Sequence, residues 1–154
     1  QRIPEVKLRI VGASTSDRYD QAIEGLIRNL ALSEAITMTG WVDDEQLERE
    51  YRQASVFCTL SDHEGFGVPL VEAMARGIPL VSYATTAVGE TVGEAGLVLA
   101  SKTPTVVAGA LERVLTDDLL AERLCASGRQ RSSTFSSEKI ATALNQTLLG
   151  HPSS

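Results

Sequence analysis

The pattern of hydrophobic and polar positions along the chain predicts alternating strands and helices. Short apolar runs are typical of buried strands. They fall at 6–11, 36–39, 56–60, 79–83 and 96–99. Other segments repeat their apolar residues every three or four positions, as on one face of a helix. These cover 14–30, 43–54, 68–77, 103–115, 117–131 and 137–149. The alternation predicts an α/β fold with a parallel sheet and helices on both of its faces.

Local signals indicate where the elements end. Asp43, with Gln46 three positions later, has the pattern of a capping box. Pro69 suits the first position of a helix, where a backbone N–H is not needed, and Gly77 ends that helix. The first strand alternates apolar and basic residues, so one of its faces is expected to be partly covered. The first helix should bury a face made of Ala22, Ile23, Leu26, Ile27 and Leu30.

Length and composition favour one globular domain. The 154 residues predict a single domain over 1–150 with a frayed tail at 151–154. No apolar run approaches the ~20 residues that span a bilayer, and the N-terminus has no signal-peptide pattern, so we expect an intracellular protein. The net charge of −6 argues against a nucleic-acid partner. Cys58 and Cys125 are expected to be reduced core residues.

Candidate chemistry lies in the loops that follow the strands, because ligands of open parallel sheets bind beyond the carboxyl ends of the strands. The four loops are 12–16, 40–43, 61–68 and 84–89. In the third, Gly65 and Gly67 leave the backbone uncovered by side chains. The amides of 66–70 could therefore converge on an anion with a helix dipole behind them.

The polar and aromatic residues of these loops admit more than one interpretation. Glu72, taken to lie in the first helical turn, is either stabilised by the helix dipole alone or meets a polar partner. Glu64 and His63 are either solvated loop residues or parts of a ligand site. Trp41 is either a core aromatic, which is favoured, or the wall of a pocket. His63 and His151 lie too far apart in sequence to suggest a metal site.

One block carries a family resemblance. Residues 64–79 read Glu-Gly-Phe-Gly-Val-Pro-Leu-Val-Glu-Ala-Met-Ala-Arg-Gly-Ile-Pro, with Glu64 and Glu72 separated by seven residues. This block resembles the E-x7-E signature of retaining, nucleotide-sugar-dependent group 1 glycosyltransferases. Further blocks at 10–12, 39–43 and 89–93 follow the family's order and spacing. The chain resembles the C-terminal, donor-binding half of a GT-B fold, which is Rossmann-like.

The resemblance implies a role for each matching residue. Glu64 would be the catalytic residue, facing the donor sugar near its reacting carbon, and Glu72 would hold the ribose hydroxyls. Trp41 and Val42 would border the base. The other implied donor-binding residues are Gly12, Gly65, Phe66, Gly67, Val68, Leu70 and Val71, with His63 as a further candidate.

The implied reaction moves a sugar from a nucleoside diphosphate sugar to an acceptor with retention at the anomeric carbon. It would need neither a metal nor another cofactor, and it would serve polysaccharide or glycoconjugate synthesis. In the full-length protein we expect a hexosyl or other glycosyltransferase. A cytoplasmic location is expected, with the cytoplasmic membrane face as an alternative reached through an N-terminal domain.

Two features of the family are missing. Its members carry an arginine and a lysine in a strand–helix unit before the strand at Leu8, and an N-terminal acceptor-binding domain. We therefore expect this chain alone to be inactive. Without the upstream strand, the sheet would expose apolar edges. Direct pairing between the strands at Leu8 and Val56, another chain, or dimerisation through these edges would cover them.

Two other functions stay open at this point. One is an enzyme of the same fold, a sugar-nucleotide epimerase or a phosphorylase, although no lysine lies in a recognisable context for a pyridoxal Schiff base. The other is a non-catalytic nucleotide-binding or interaction module of the receiver-like α/β type. That class carries acidic residues at the strand ends and a lysine after a late strand, and the sequence indicates neither.

Overall fold

A computed structural model describes residues 3, 6–13, 16–62, 67–84 and 88–135. The chain divides into two compact units, Gln1–Gln53 and Ala54–Ser154. Each unit is described by itself below.

The first unit is a parallel pair of strands with two helices. Strands β1 (Leu8–Val11) and β2 (Ile36–Gly40) pair in parallel. The helices are α1 (Asp17–Asn29) and α2 (Asp44–Gln53). At the start of α2, the Gln46 amide donates to Asp43 Oδ1 over 2.7 Å and the Asp43 amide donates to Gln46 Oε1 over 3.2 Å. The predicted capping box is therefore confirmed.

Apolar side chains of the first unit are more exposed than their spacing predicts. All four residues of β1 are exposed, so the expected partial cover on one of its faces is wrong. On α1, Ile23 and Ile27 are half-buried, whereas Leu26 and Leu30 are 53% and 57% exposed. A sheet of two strands is too narrow to cover the whole apolar face of a helix, which accounts for the difference.

The second unit is a parallel sheet of three strands with helices around it. Its strands are β3 (Phe57–Thr59), β4 (Leu80–Tyr83) and β5 (Gly96–Leu99), in the order β3-β4-β5. Its helices are α3 (Val68–Ala75), α4 (Val88–Val92), α5 (Pro104–Thr116) and α6 (Asp118–Ser132). Short 3₁₀ turns follow α4 at Gly93–Ala95 and α6 at Ser133–Phe135.

Buried apolar side chains pack on β4 in the second unit. Val81 contacts Val114, Leu120 and Leu124, which come from α5 and α6. Cys58 packs against this cluster. Both cysteines are free, and burial raises the pKa of the Cys58 thiol.

A Schellman motif ends α3. The Ile78 amide donates to the Ala73 carbonyl over 3.0 Å, and the Gly77 amide donates to the Met74 carbonyl over 2.9 Å. Gly77 adopts the left-handed conformation with φ of 69°. The predicted helix stop at Gly77 is therefore confirmed.

The structure confirms the predicted α/β class with parallel strands flanked by helices. Two details differ. The strands form two sheets instead of one, so β1 and β3, for which direct pairing was one expectation, are edge strands of separate sheets. Helix α4 occupies part of the predicted 84–89 loop. The predicted helix at 137–149 and the tail lie outside the described residues, and the single domain over 1–150 stays a prediction.

Candidate functional site

The start of α3 has the geometry of an anion site. Its N-cap is Gly67, which is buried and left-handed with φ of 72°. A Cβ added to Gly67 would lie 2.8 Å from Leu70 Cδ1, and Leu70 is itself only 1% exposed. The glycine is therefore required both by its backbone conformation and by close packing.

The backbone amides at the start of α3 differ in whether they already donate a hydrogen bond within the helix. Leu70 and Val71 both donate to the Gly67 carbonyl, over 2.9 and 3.3 Å, and Pro69 has no N–H. Val68 provides the first helical amide, which helix geometry leaves without an intrahelical acceptor. The expected convergence of amides on an anion therefore narrows to Gly67 and Val68 among the described residues.

Glu72 lies one helical turn beyond Val68, on the same side of α3. The side chain of Val68 is exposed and Glu72 is half-buried, while Leu70, Ala73 and Met74 are buried on the other side. The sequence suggested that Glu72 lies in the first turn of the helix. Because α3 begins at Val68, Glu72 belongs to its second turn instead. The helix dipole acts mainly within the first turn, so it gives a weaker reason for a carboxylate here.

The candidate residues of the first unit lie at the ends of β1 and β2. Gly12 and Gly40 are both left-handed, with φ of 118° and 65°, and the Gly12 amide donates to the Gly40 carbonyl over 3.2 Å. Trp41 follows directly and is 76% exposed, whereas Val42 is half-buried. The favoured interpretation of Trp41 as a core aromatic is wrong, because the residue lies beyond the strand end and outside the packed interior.

The structure thus places the predicted residues in two groups. Gly67, Val68, Leu70, Val71 and Glu72 share the first turns of α3. Gly12, Trp41 and Val42 share the carboxyl ends of β1 and β2. The other predicted site residues, His63, Glu64, Gly65 and Phe66, lie outside the described residues.

Sequence reasoning missed a lysine at the carboxyl edge of the three-stranded sheet. Lys102, three residues beyond β5, forms an ion pair with Asp62, three residues beyond β3. Its ammonium also lies 5.3 Å from the centre of the Tyr83 ring, at the end of β4. The statement that no lysine follows a late strand is therefore wrong. The signal that could have found Lys102 and Asp62 is their position within three residues of a strand end.

At the opposite ends of the helices, α6 supplies two arginines. Arg131 donates to the carbonyls of Glu90 and Thr91, at the end of α4. The guanidinium of Arg129 lies so close to Gly77 that an added Cβ would be 2.4 Å from it. Cations near helix C-termini are stabilised by the helix dipole. Thus α6 supports both helices at the ends away from the candidate anion site.

The described residues offer neither a metal site nor a membrane-spanning helix. In the part of the chain that the structure describes, no three His, Cys, Asp or Glu side chains converge as a metal site would require. Of the helices described, none is long and apolar enough to cross a bilayer.

Comparison with known proteins decides the family. The sequence profile described as "Glycosyl transferases group 1" matches residues 1–131. The chain belongs to the group 1 glycosyltransferases. The expected membership of the group 1 family is confirmed, and membership of a transferase family favours that expectation over the receiver-like module.

Individual proteins and solved structures also resemble this chain. O-antigen chain mannosyltransferase B of Escherichia coli is 36% identical over 107 residues, which cover 70% of this chain and 28% of that protein. The structure of sucrose-phosphate synthase from Thermosynechococcus elongatus superposes with a TM-score of 0.82 at 32% identity, over 96% of this chain and 39% of that one. The chain therefore spans about a third of the length of these relatives.

The GT-B fold also appears in a more distant protein. HepE of Anabaena, in complex with UDP and glucose, has a TM-score of 0.87 at 21% identity. The match covers 98% of this chain and 42% of HepE. At this identity the likeness concerns the fold alone.

Proposed function

We propose that this chain is the donor-binding part, C-terminal in the whole protein, of a retaining glycosyltransferase that uses a nucleoside diphosphate sugar. The observation that carries the proposal is the start of α3. There the N-cap is a left-handed glycine, the first helical amide has no acceptor within the helix, and Glu72 lies one turn further along the same side. Family membership supplies the reaction class.

In this proposal the diphosphate binds at the start of α3. The amides of Gly67 and Val68 and the positive end of the helix dipole meet its oxygens. This placement suits the chemistry, because negative charge develops on the diphosphate as the bond to the sugar breaks. The site stabilises the leaving group with fixed dipoles, so the proposed mechanism requires no metal.

The two glutamates of the E-x7-E motif have separate tasks. Glu72 accepts hydrogen bonds from the ribose hydroxyls, for which its half-buried position on the Val68 side of α3 is suitable. Glu64 faces the sugar near the anomeric carbon. The acceptor attacks from the face that the diphosphate leaves, through an oxocarbenium-like transition state, which gives retention.

For the nucleoside base, the family resemblance proposes Trp41 and Val42. Trp41 offers an exposed aromatic ring, and Gly12 and Gly40 keep the neighbouring backbone accessible. The acceptor is assigned to the part of the protein that the relatives have beyond this chain. We accordingly expect the 154-residue chain to bind a donor nucleotide without transferring its sugar.

The test is thermal stabilisation of the chain by UDP, GDP and ADP. A nucleotide at 100 times its Kd should stabilise the folded chain by about 2.7 kcal/mol. Glu72→Ala should lose about 1.5–3 kcal/mol of that binding energy, because hydrogen bonds to a charged group are of this size. Glu112→Ala, which removes an exposed carboxylate from α5, is the matched control and should bind as the wild type does.

Two results would contradict the proposal. One is a folded wild-type chain that none of the three nucleotides stabilises. The other is Glu72→Ala binding as tightly as Glu112→Ala.

A further inference from the structure

Three strand ends of the second unit meet at a single lysine. Lys102, beyond β5, pairs with Asp62, beyond β3, and lies over the ring of Tyr83, the last residue of β4. Strand β4 lies between the other two. Since neighbouring strands are about 4.8 Å apart, Lys102 links chain segments on the order of 10 Å apart.

This contact contributes little to stability by itself. The Lys102 and Asp62 side chains are 40% and 67% exposed, and ion pairs at such positions are weak because water and salt screen them. The Tyr83 ring adds a second attraction for the same ammonium and restricts where it can lie. The main effect of these contacts is therefore on the position of the chain where it leaves β3, and not on the free energy of unfolding.

The chain that leaves β3 leads directly to the proposed donor site. Asp62 precedes Gly67, the N-cap of α3, by five residues (67 − 62 = 5). Because so few residues separate them, the position of Asp62 limits where this helix start can lie. The amides of the helix start must match the diphosphate closely. Small displacements of binding groups are costly in such sites.

We propose that Lys102 is a positioning residue for donor binding. It holds Asp62 against the ends of β4 and β5 and thereby sets the approach to α3, without contacting the donor. The inference rests on the proposed function, because it assigns Lys102 to the support of that same site.

The experiment is a double-mutant cycle on nucleotide affinity, measured by titration of the chain with UDP, GDP and ADP. The variants are Lys102→Met, Asp62→Asn and the two combined. Each single change should weaken binding by about threefold to tenfold, and the double change should weaken it by less than the product of the two single effects, because both break the ion pair between Lys102 and Asp62. Thermal unfolding verifies that every variant is folded, as the exposure of both side chains leads us to expect.

Two further variants separate positioning from charge. Lys102→Arg keeps a cation that can pair with a carboxylate and stack on an aromatic ring, so its affinity should return to within about twofold of the wild type. Arg123→Met removes one positive charge from an exposed position on α6 and should leave the affinity unchanged.

Several outcomes would overturn the inference. Wild-type affinity in Lys102→Met would do so, as would an equal loss in Arg123→Met, which would indicate a general charge effect. Weak binding by Lys102→Met with normal binding by Asp62→Asn would indicate direct contact with the donor. If the wild type and Glu72→Ala differ as expected while the Lys102 variants match the wild type, only this inference fails. If the wild type binds no nucleotide, the proposed function fails and the inference fails with it.

Discussion

The two ends of α3 provide a paired test of where the nucleotide binds. Gly67 and Gly77 flank the helix, and both are left-handed, with φ of 72° and 69°. An alanine at either position must adopt a conformation that its Cβ disfavours. Only Gly67, however, lies at the proposed diphosphate site.

The cost of each substitution follows from the structure. Alanine in the left-handed region costs about 1–2 kcal/mol. For a chain of this length, 1 kcal/mol corresponds to about 2–4 °C in Tm, so each variant should lose about 2–8 °C. The added methyl would also displace Leu70 Cδ1, 2.8 Å away at Gly67, or the Arg129 guanidinium, 2.4 Å away at Gly77.

Nucleotide affinity should separate the two variants. Gly67→Ala tilts the first turn of α3 and misplaces the Val68 amide, so it should weaken binding at least about tenfold, the loss of one hydrogen bond to a charged group. Gly77→Ala should bind nearly as well as the wild type. Titration with the nucleotides, at a temperature where both variants are folded, measures the difference.

The variant Gly67→Asn separates the cost of the backbone conformation from the cost of packing. Gly67→Asn should recover only the part of the loss that comes from the left-handed conformation, because its Cβ meets Leu70 Cδ1 as that of alanine does. If Gly67→Ala and Gly77→Ala are equally destabilised and bind nucleotide equally well, the start of α3 is not the anion site.

Three further predictions concern other parts of the chain. The hydrogen bond from Arg9 lowers the pKa of Glu50 below its usual value, so this pair stabilises the fold at neutral pH and ceases to do so as the pH falls through the lowered pKa. Arg9→Met should therefore lose on the order of 1 kcal/mol in urea unfolding at neutral pH and little well below the reference pKa of about 4.3. Gly96→Ala should lose about 1–3 kcal/mol, because its Cβ would lie 2.8 Å from Leu80 Cβ. Gly128→Ala, inside α6, should gain up to about 1 kcal/mol, because the atoms nearest to its Cβ belong to Met74 and lie 3.5 Å away. Binding of a nucleotide should change the fluorescence of Trp41, the single tryptophan.

Each of these has a clear contrary result. A loss in Arg9→Met that is the same at acidic and neutral pH would show that the ion pair is not its cause. Equal stability of the Gly96 and Gly128 variants would contradict the packing distances. Unchanged tryptophan emission at a nucleotide concentration that stabilises the fold would contradict the placement of the base.

The local structure was largely predictable from the sequence, because its determinants are local. The capping box at Asp43 and the stop at Gly77 each depend on residues a few positions apart, and both are present in the structure. Helix α4 was missed because its five residues are too few to show helical spacing.

Burial and the site were harder to predict, since both depend on contacts between distant residues. The exposure of Trp41 depends on what packs around the end of β2, which its own neighbours in sequence do not reveal. The Lys102 contact joins positions forty residues apart and becomes visible only when the strand order is known. The resemblance at residues 64–79 could be read from the sequence because its residues lie within one short segment.

The arginines of α6 define how short a working donor-binding fragment can be. A chain cut before Arg129 would keep every residue assigned to the nucleotide, yet it would lose the contacts at Gly77 and at the carbonyls of Glu90 and Thr91. The family profile also ends at 131. The last turn of α6 is thus the boundary to respect in any truncation, although it lies at the far end of α3 from the proposed ligand.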